Sequence, residues 1–322
     1  MNYLENKIPL KIVQTNPPFW DLYQKNIEII DEIIERDQAK LGKMNFLFDY
    51  PEMMNFKIRT LYFREKMKQR INQQNELTIT VKRSKVLSNS FKQLNGISTK
   101  EWLNNINVNF VGEEGLDAGG LTKEWFYLIV KELFEPEREL FQSTENKSYQ
   151  PIHTDENHLE LIKFAGKIIA RSLIQGQCVN AHLTRSFIRQ ILHHKIKLND
   201  LEDFDENIYK SLQMILNDED NIEELDLNFT IDVEEKGEYK TISLKENGEN
   251  ISVTNANKHE YISLYANYHL RTSIKDEINA FCEGFESLIQ PDEIRFFTAS
   301  ELDLLICGIP EIDVEDLRKF TE

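Results

Sequence analysis

Cysteine is scarce in this sequence: Cys178, Cys282 and Cys307 are its three, far apart and in no Cys-x-x-Cys pair. No disulfide framework and no zinc site is therefore expected, and the chain is assigned to a reducing compartment, cytoplasmic with the nucleus as the alternative. Positive charge is also short. Lys and Arg number 38 against 55 Asp and Glu, a net charge of −17. A polyanion is held by neutralising its phosphates, so nucleic acid is excluded as a partner, and an acidic surface favours a basic protein instead. Long apolar runs are missing: the most apolar one, Leu159 to Ile174, is broken by Lys163, Lys167 and Arg171. Neither a signal peptide nor a membrane span is expected. The only histidine cluster, His193-His194, has no partners at ligand spacing, and adjacent residues do not share a helix face. Glycine is thin as well, twelve in 322 residues, which makes it notable that four fall within nine residues, from Gly112 to Gly120.

That stretch organises the chain. Val108 and Phe110 alternate as a strand, the glycines Gly112, Gly115, Gly119 and Gly120 follow, and an apolar helical pattern begins at Trp125. The reading is strand, tight turn, helix, with glycine allowing positive φ and a close helix start. A phosphate cradle would need Gly-Lys-Ser/Thr or Gly-x-Gly-x-x-Gly. Lys123 follows Thr122 and the glycine gaps differ, so a packing corner is expected.

The remaining pattern is α+β and mostly helical. Asn16 to Leu41 carries Tyr23, Ile27, Ile30 and Ile34 at helical spacing, entered through Pro17-Pro18 and closed by Gly42. A second helix runs from Pro51 through Phe63 into the polar tract Gln69 to Asn75. Leu77, Ile79 and Val81 read as a strand, with Ser88 and Ser98 as caps of two short helices and Glu101 completing a capping box with Ser98. Further helices are expected from Thr122 to Phe134, from Leu159 to Gln175 with a stop at Gly176, from Leu183 to His193, from Ile274 to Leu288, and from Ser300 to Cys307 with a stop at Gly308.

Composition shifts between Asp200 and Asp226, which hold eleven acidic residues and one base, Lys210. A helix bearing Ile208, Leu212 and Ile215 at i, i+4 and i+7 is followed by alternating Leu225, Leu227, Phe229, Ile231 and Val233. A second strand follows with Tyr239 and Ile242, then Asn247-Gly248 as a hairpin turn, and a helix capped at Thr254 or Asn255 with Tyr261 and Tyr265 at i and i+4. This reads as a small α+β subdomain, residues 196–262, inserted into a larger helical one, 76–195 and 263–322, with leading helices in 1–75.

The corner resembles the signature of the HECT family of ubiquitin ligases, Gly-Glu-x-Gly-x-Asp-x-Gly-Gly leading into a helix with Glu-Trp; here it is carried by Gly112, Gly115, Asp117, Gly119, Gly120, Glu124 and Trp125. Lys57 to Arg64, Leu183-Thr184-Arg185-Ser186-Phe187, and Glu301 to Gly308 running on to Glu322 are similar to that family too. The resemblance implies the N-terminal lobe of its catalytic unit. It implies no cofactor. Its partners are a ubiquitin-conjugating enzyme, ubiquitin carried on it as a thioester, and the protein substrate of the full ligase.

In that family the catalytic cysteine lies in a smaller C-terminal lobe, in a Leu-Pro-x-x-His-Thr-Cys-Phe-like motif. None of the three cysteines here follows His-Thr, so the expectation is a chain that recruits but does not transfer, with no catalytic residue of its own. The conjugating-enzyme groove is carried over to Ile208, Leu212, Ile215, Leu225, Leu227, Tyr261 and Tyr265, with the two tyrosines as anchors and Glu223, Glu224 and Asp226 available for steering. The positions matching a second, non-covalent ubiquitin site, Glu135, Arg138, Ser143 and Lys236, do not keep the required residue types. Two other readings stand beside this one: a helical interaction scaffold without recruitment, and a cysteine hydrolase using Cys178 and His182.

Overall fold

The computed structural model describes residues 22, 25–36, 54–113, 119–154, 156–218, 222–235 and 238–308. Helix α1 (Ile27–Arg36) lies within the first expected helix, whose Pro17-Pro18 entry and Gly42 stop fall outside the described residues. Helix α2 (Phe56–Arg70) starts where the Asn55 side chain accepts the Ile58 N–H at 2.9 Å. The tract after it is not a tail. It enters β1 (Asn72–Val81), which pairs in parallel with β2 (Asn104–Phe110), Ile79 opposite Val108 and Val81 opposite Phe110.

Parallel strands need a crossover. It is made by α3 (Val86–Leu94) and α4 (Thr99–Trp102). The capping box at Ser98 and Glu101 forms. Ser88 is no cap: α3 begins before it, so its hydroxyl has an open carbonyl only one turn back, that of Lys85.

Helix α5 (Gly120–Leu133) follows the glycine corner, then the short hairpin β3 (Phe141–Ser143) and β4 (Tyr149–Pro151). Helix α6 (Glu156–Gln175) runs through the main core, burying Phe164, Ala165, Ile168 and Ile169, and Gly176 ends it at φ +70°. It crosses α11 (Lys275–Glu286) at two glycines. A Cβ on Gly166 would lie 2.1 Å from the Phe281 carbonyl oxygen, and one on Gly284 1.8 Å from that of Lys163.

Between these two helices the chain builds α7 (Arg185–Ile191), α8 (Leu201–Phe204), α9 (Glu206–Asn217), the antiparallel pair β5 (Thr230–Glu235) and β6 (Glu238–Ser243), and α10 (Lys258–Leu270). The last described helix is α12 (Ala299–Cys307), started by a Thr298/Glu301 capping box rather than at Ser300, and stopped at Gly308 with φ +85°.

Most buried apolar side chains of the described residues fall into two clusters. The larger spans Phe63 to Leu192 and resumes from Ile274 to Ile306; the smaller holds Leu201, Leu212, Ile222, Phe229, Val253, Tyr261, Ile262, Ala266 and Leu270. Polar ties cross between the elements that carry them. Gln150 Nε2 donates to the His269 carbonyl (3.1 Å), Gln190 Nε2 to that of Leu270 (2.9 Å), the Arg185 N–H to Asp203 (2.7 Å), and Arg189 Nε to Asp200 (2.9 Å).

Candidate functional site

At the glycine corner, Gly112 (φ +87°) and Gly119 (φ +99°) both take the left-handed conformation that side chains resist, while Gly120 is already helical. Gly115 and Asp117 lie outside the described residues. Arg83 holds the two sides together. Its guanidinium donates to Glu113 at 2.5 and 2.9 Å and to Glu124 at 2.5 and 3.0 Å, and lies 4.3 Å from the centre of the Phe110 ring. Those hydrogen bonds hold both carboxyls below the ordinary glutamate range and raise the guanidinium further. Trp125 is fully buried and donates from Nε1 to Ser90 Oγ at 2.9 Å. Both Glu124 and Trp125 therefore act through contacts that fix the turn.

Six of the seven groove candidates meet in the smaller apolar cluster. Leu212 and Tyr261 belong to its buried part, and Ile208, Ile215, Leu227 and Tyr265 pack against it half-buried. Leu225 stands outside, 50% exposed. The paired positions on α9 and α10 are legible in the sequence because helical spacing alone puts them on one face. The Tyr261 and Tyr265 rings sit 5.7 Å apart, and Tyr261 also meets Phe229 edge-on at 5.6 Å. Tyr261 is only 4% exposed, and burial pushes its hydroxyl up to about 12. Its ring supports the wall from behind; Leu225 has the most area left to offer, with Ile208, Ile215, Leu227 and Tyr265 half-buried.

Three local expectations differ from the structure. Leu225 and Leu227 do not share a strand face: Leu225 ends a helical turn, Ile222–Leu225, and Asp226 at φ +47° reverses the chain before β5 begins at Thr230. Asn247-Gly248 is not the hairpin, since β5 pairs with β6 instead. Asn247 alone has positive φ, and Gly248 is needed for close approach, because a Cβ there would lie 2.3 Å from the Phe229 carbonyl oxygen. Helix α10 likewise starts at Asn257 rather than at Thr254 or Asn255, with the Asn257 side chain accepting the Thr254 N–H at 2.8 Å.

The sequence reading passed over two exposed side chains of the same region, Met214 on α9 (71%) and Tyr239 on β6 (80%). Met214 falls off the 208/212/215 face, and Tyr239 was read only as a strand residue; large apolar side chains in an acidic stretch are the signal that singles them out. Glu223, Glu224 and Asp226 are exposed around Leu225. Of the positions matching the second ubiquitin site, Lys236 lies outside the described residues, and Arg138 is paired with Glu132 at 3.4 Å.

The cysteines divide by environment. Burial pushes Cys282 up to about 12 and, with Asp303 beside it, Cys307 further, while Cys178 is exposed. His182 is held by Asp303, Nδ1 to Oδ2 at 3.1 Å. No helix among the described residues is long and apolar enough to cross a membrane.

A family model described as HECT-domain (ubiquitin-transferase) matches residues 127–322. The chain is 37% identical over 315 residues to the E3 ubiquitin-protein ligase UPL1 of Arabidopsis thaliana, covering 93% of this chain and 8% of that protein. It is 33% identical over 304 residues to HUWE1 of Mus musculus, covering 91% and 7%, and 36% identical over 279 residues to NEDD4 of Homo sapiens, covering 84% and 21%. Each is named an E3 ubiquitin-protein ligase, and the chain spans less than a quarter of the length of any of the three.

Proposed function

The chain belongs to the HECT-domain (ubiquitin-transferase) family, and on that premise we propose that it is the lobe that docks a ubiquitin-loaded conjugating enzyme, for transfer to a catalytic cysteine in a second lobe. The docking body is the small subdomain, residues 196–262, set on the larger helical one. Docking supplies effective concentration: the thioester is held where a tethered second lobe reaches it. On this reading the chain binds without transferring when alone, and works in the cytoplasm or nucleus as part of a longer ligase that selects the protein substrate.

One observation carries the proposal. Among the described residues, Leu225, Met214 and Tyr239 expose large apolar area on the elements around the smaller cluster, beside exposed Glu223, Glu224 and Asp226. Apolar anchors inside a charged rim are the composition of a protein interface, and the acidic rim suits a basic partner. Tyr265, Leu227, Ile208 and Ile215 complete the wall, with Leu212 and Tyr261 as its backing.

The test is a titration of a panel of conjugating enzymes against the chain and against Leu225→Ala. Covering the exposed half of a leucine is worth about 1 kcal/mol, roughly fivefold in Kd. Binding by at least one enzyme that weakens to that extent supports the reading. Binding by none favours an inert helical scaffold, and a reducible ubiquitin adduct on Cys178 refutes recruitment without transfer.

A further inference from the structure

Near the end of the last described helix three unlike metal-binding side chains converge. Asp303 and Cys307 stand at i and i+4 on α12, on one helix face. His182 reaches them from the loop after α6. One ligand atom from each lies within 4.8 Å of the other two. His182 Nδ1 is 3.1 Å from Asp303 Oδ2, and Cys307 Sγ is 3.6 Å from Asp303 Oδ1. A tetrahedral zinc ion with Zn–N and Zn–O near 2.1 Å and Zn–S near 2.3 Å has N–O and S–O edges of roughly 3.4 and 3.6 Å. His182 Nδ1 and Cys307 Sγ stand at about those separations from the two different oxygens of Asp303, so the carboxylate turns, or binds through both oxygens, to serve one ion.

The loop that brings His182 is fixed by backbone bonds. The His182 carbonyl accepts the Tyr149 N–H at 2.7 Å, and the Val179 N–H donates to the Ile306 carbonyl at 2.8 Å, beside the ligand helix. All three ligands are partly exposed, so an ion has access from solvent.

We propose that His182, Asp303 and Cys307 bind a zinc-class divalent cation, with water at the fourth position, and that the ion staples the end of α12 to the loop 176–183. The donor set fits a borderline-soft metal: imidazole nitrogen, carboxylate oxygen and thiolate sulfur. On binding, the thiol proton leaves to solvent, and His182 moves its remaining proton to Nε2 to free Nδ1. The site joins the C-terminal end of α12 to the loop after α6, and its function is to hold that helix end on the loop.

Metal-free chain is titrated with Co2+, whose bond to a thiolate absorbs in the near ultraviolet. One equivalent is expected to raise that band, Zn2+ to abolish it by displacement, and Zn2+ to raise the melting temperature. Cys307→Ser should remove the band, and His182→Ala should weaken binding at least tenfold. Cys282→Ser, outside the cluster, should leave both unchanged. Circular dichroism of each metal-free variant checks its fold; since His182 is 40% exposed, its variant keeps the test decisive if Cys307→Ser does not fold. No band in the parent chain, an undiminished band in Cys307→Ser, or unchanged affinity in His182→Ala overturns the proposal.

Discussion

Replacing Gly284 with alanine adds one methyl group at the closest approach of α6 and α11. That methyl would sit 1.8 Å from the Lys163 carbonyl oxygen, and the reciprocal change at Gly166 would meet the Phe281 carbonyl at 2.1 Å. The obstacle is backbone held in a helix, so no side chain can swing aside. The helices must separate by more than an ångström, and Phe281 and Phe285 on one side and Phe164 and Ile168 on the other, all fully buried, lose contact as they part. Alanine regains about 1 kcal/mol of helix propensity. Overpacking costs about 1–3 kcal/mol where side chains can adjust, and more where they cannot. A net loss of about 2–4 kcal/mol follows, which for a domain of this size lowers Tm by about 3–6 °C. Thermal melting followed by circular dichroism measures it, with Gly96→Ala as control because that position faces open space. A Gly284→Ala melting point within ~2 °C of the parent would refute the tight crossing.

Tyr261→Ala should cost about 3–5 kcal/mol by opening a cavity under Phe229; urea unfolding should show it, whereas Leu225→Ala stays within about 0.5 kcal/mol of the parent. His269, between the Phe204 and Tyr265 rings, is held below its usual pKa by burial, opposed by Asp205. The unfolded chain therefore binds its proton first, so stability should fall as pH drops below about 6.5, and His269→Gln should flatten that slope in melts from pH 7.5 to 5.5. Arg59, nearly buried, pairs with Glu301 and donates to the Phe296 carbonyl at 2.8 Å; Glu301→Ala should cost about 3–5 kcal/mol in the same unfolding assay. Arg171, fully buried with a donor to the Asn104 carbonyl at 2.9 Å, is pushed down to about 10 by burial, so Arg171→Met should be neutral or stabilising below that pH.

What the sequence revealed was local. Alternation marked Ile79 and Val81, and Val108 and Phe110, as strand residues though not their parallel pairing, and single residues marked the ends of α6 and α12 at Gly176 and Gly308, because these signals act within one turn or one strand. The Asn247-Gly248 pair misled because its glycine answers to Phe229, nineteen residues back, through close packing and not through turn geometry. The anchor role of Tyr261 came from the family resemblance; spacing puts it on a face but cannot say what covers that face. His182 stands 121 residues before Asp303, a separation at which spacing carries no information about ligation. HECT membership was legible in the glycine corner because its signature is contiguous in the sequence, from Gly112 to Trp125.

The ties from Gln150, Gln190, Arg185 and Arg189 each end on a discrete oxygen acceptor. Such a tie gives way singly, water standing in for the lost partner at about 0.5–1.5 kcal/mol, more for Arg189 and Asp200. Losing one of the four leaves the other three still joining the elements around the smaller cluster to those around the larger, whereas the backbone crossing at Gly166 and Gly284 offers no such partial setting.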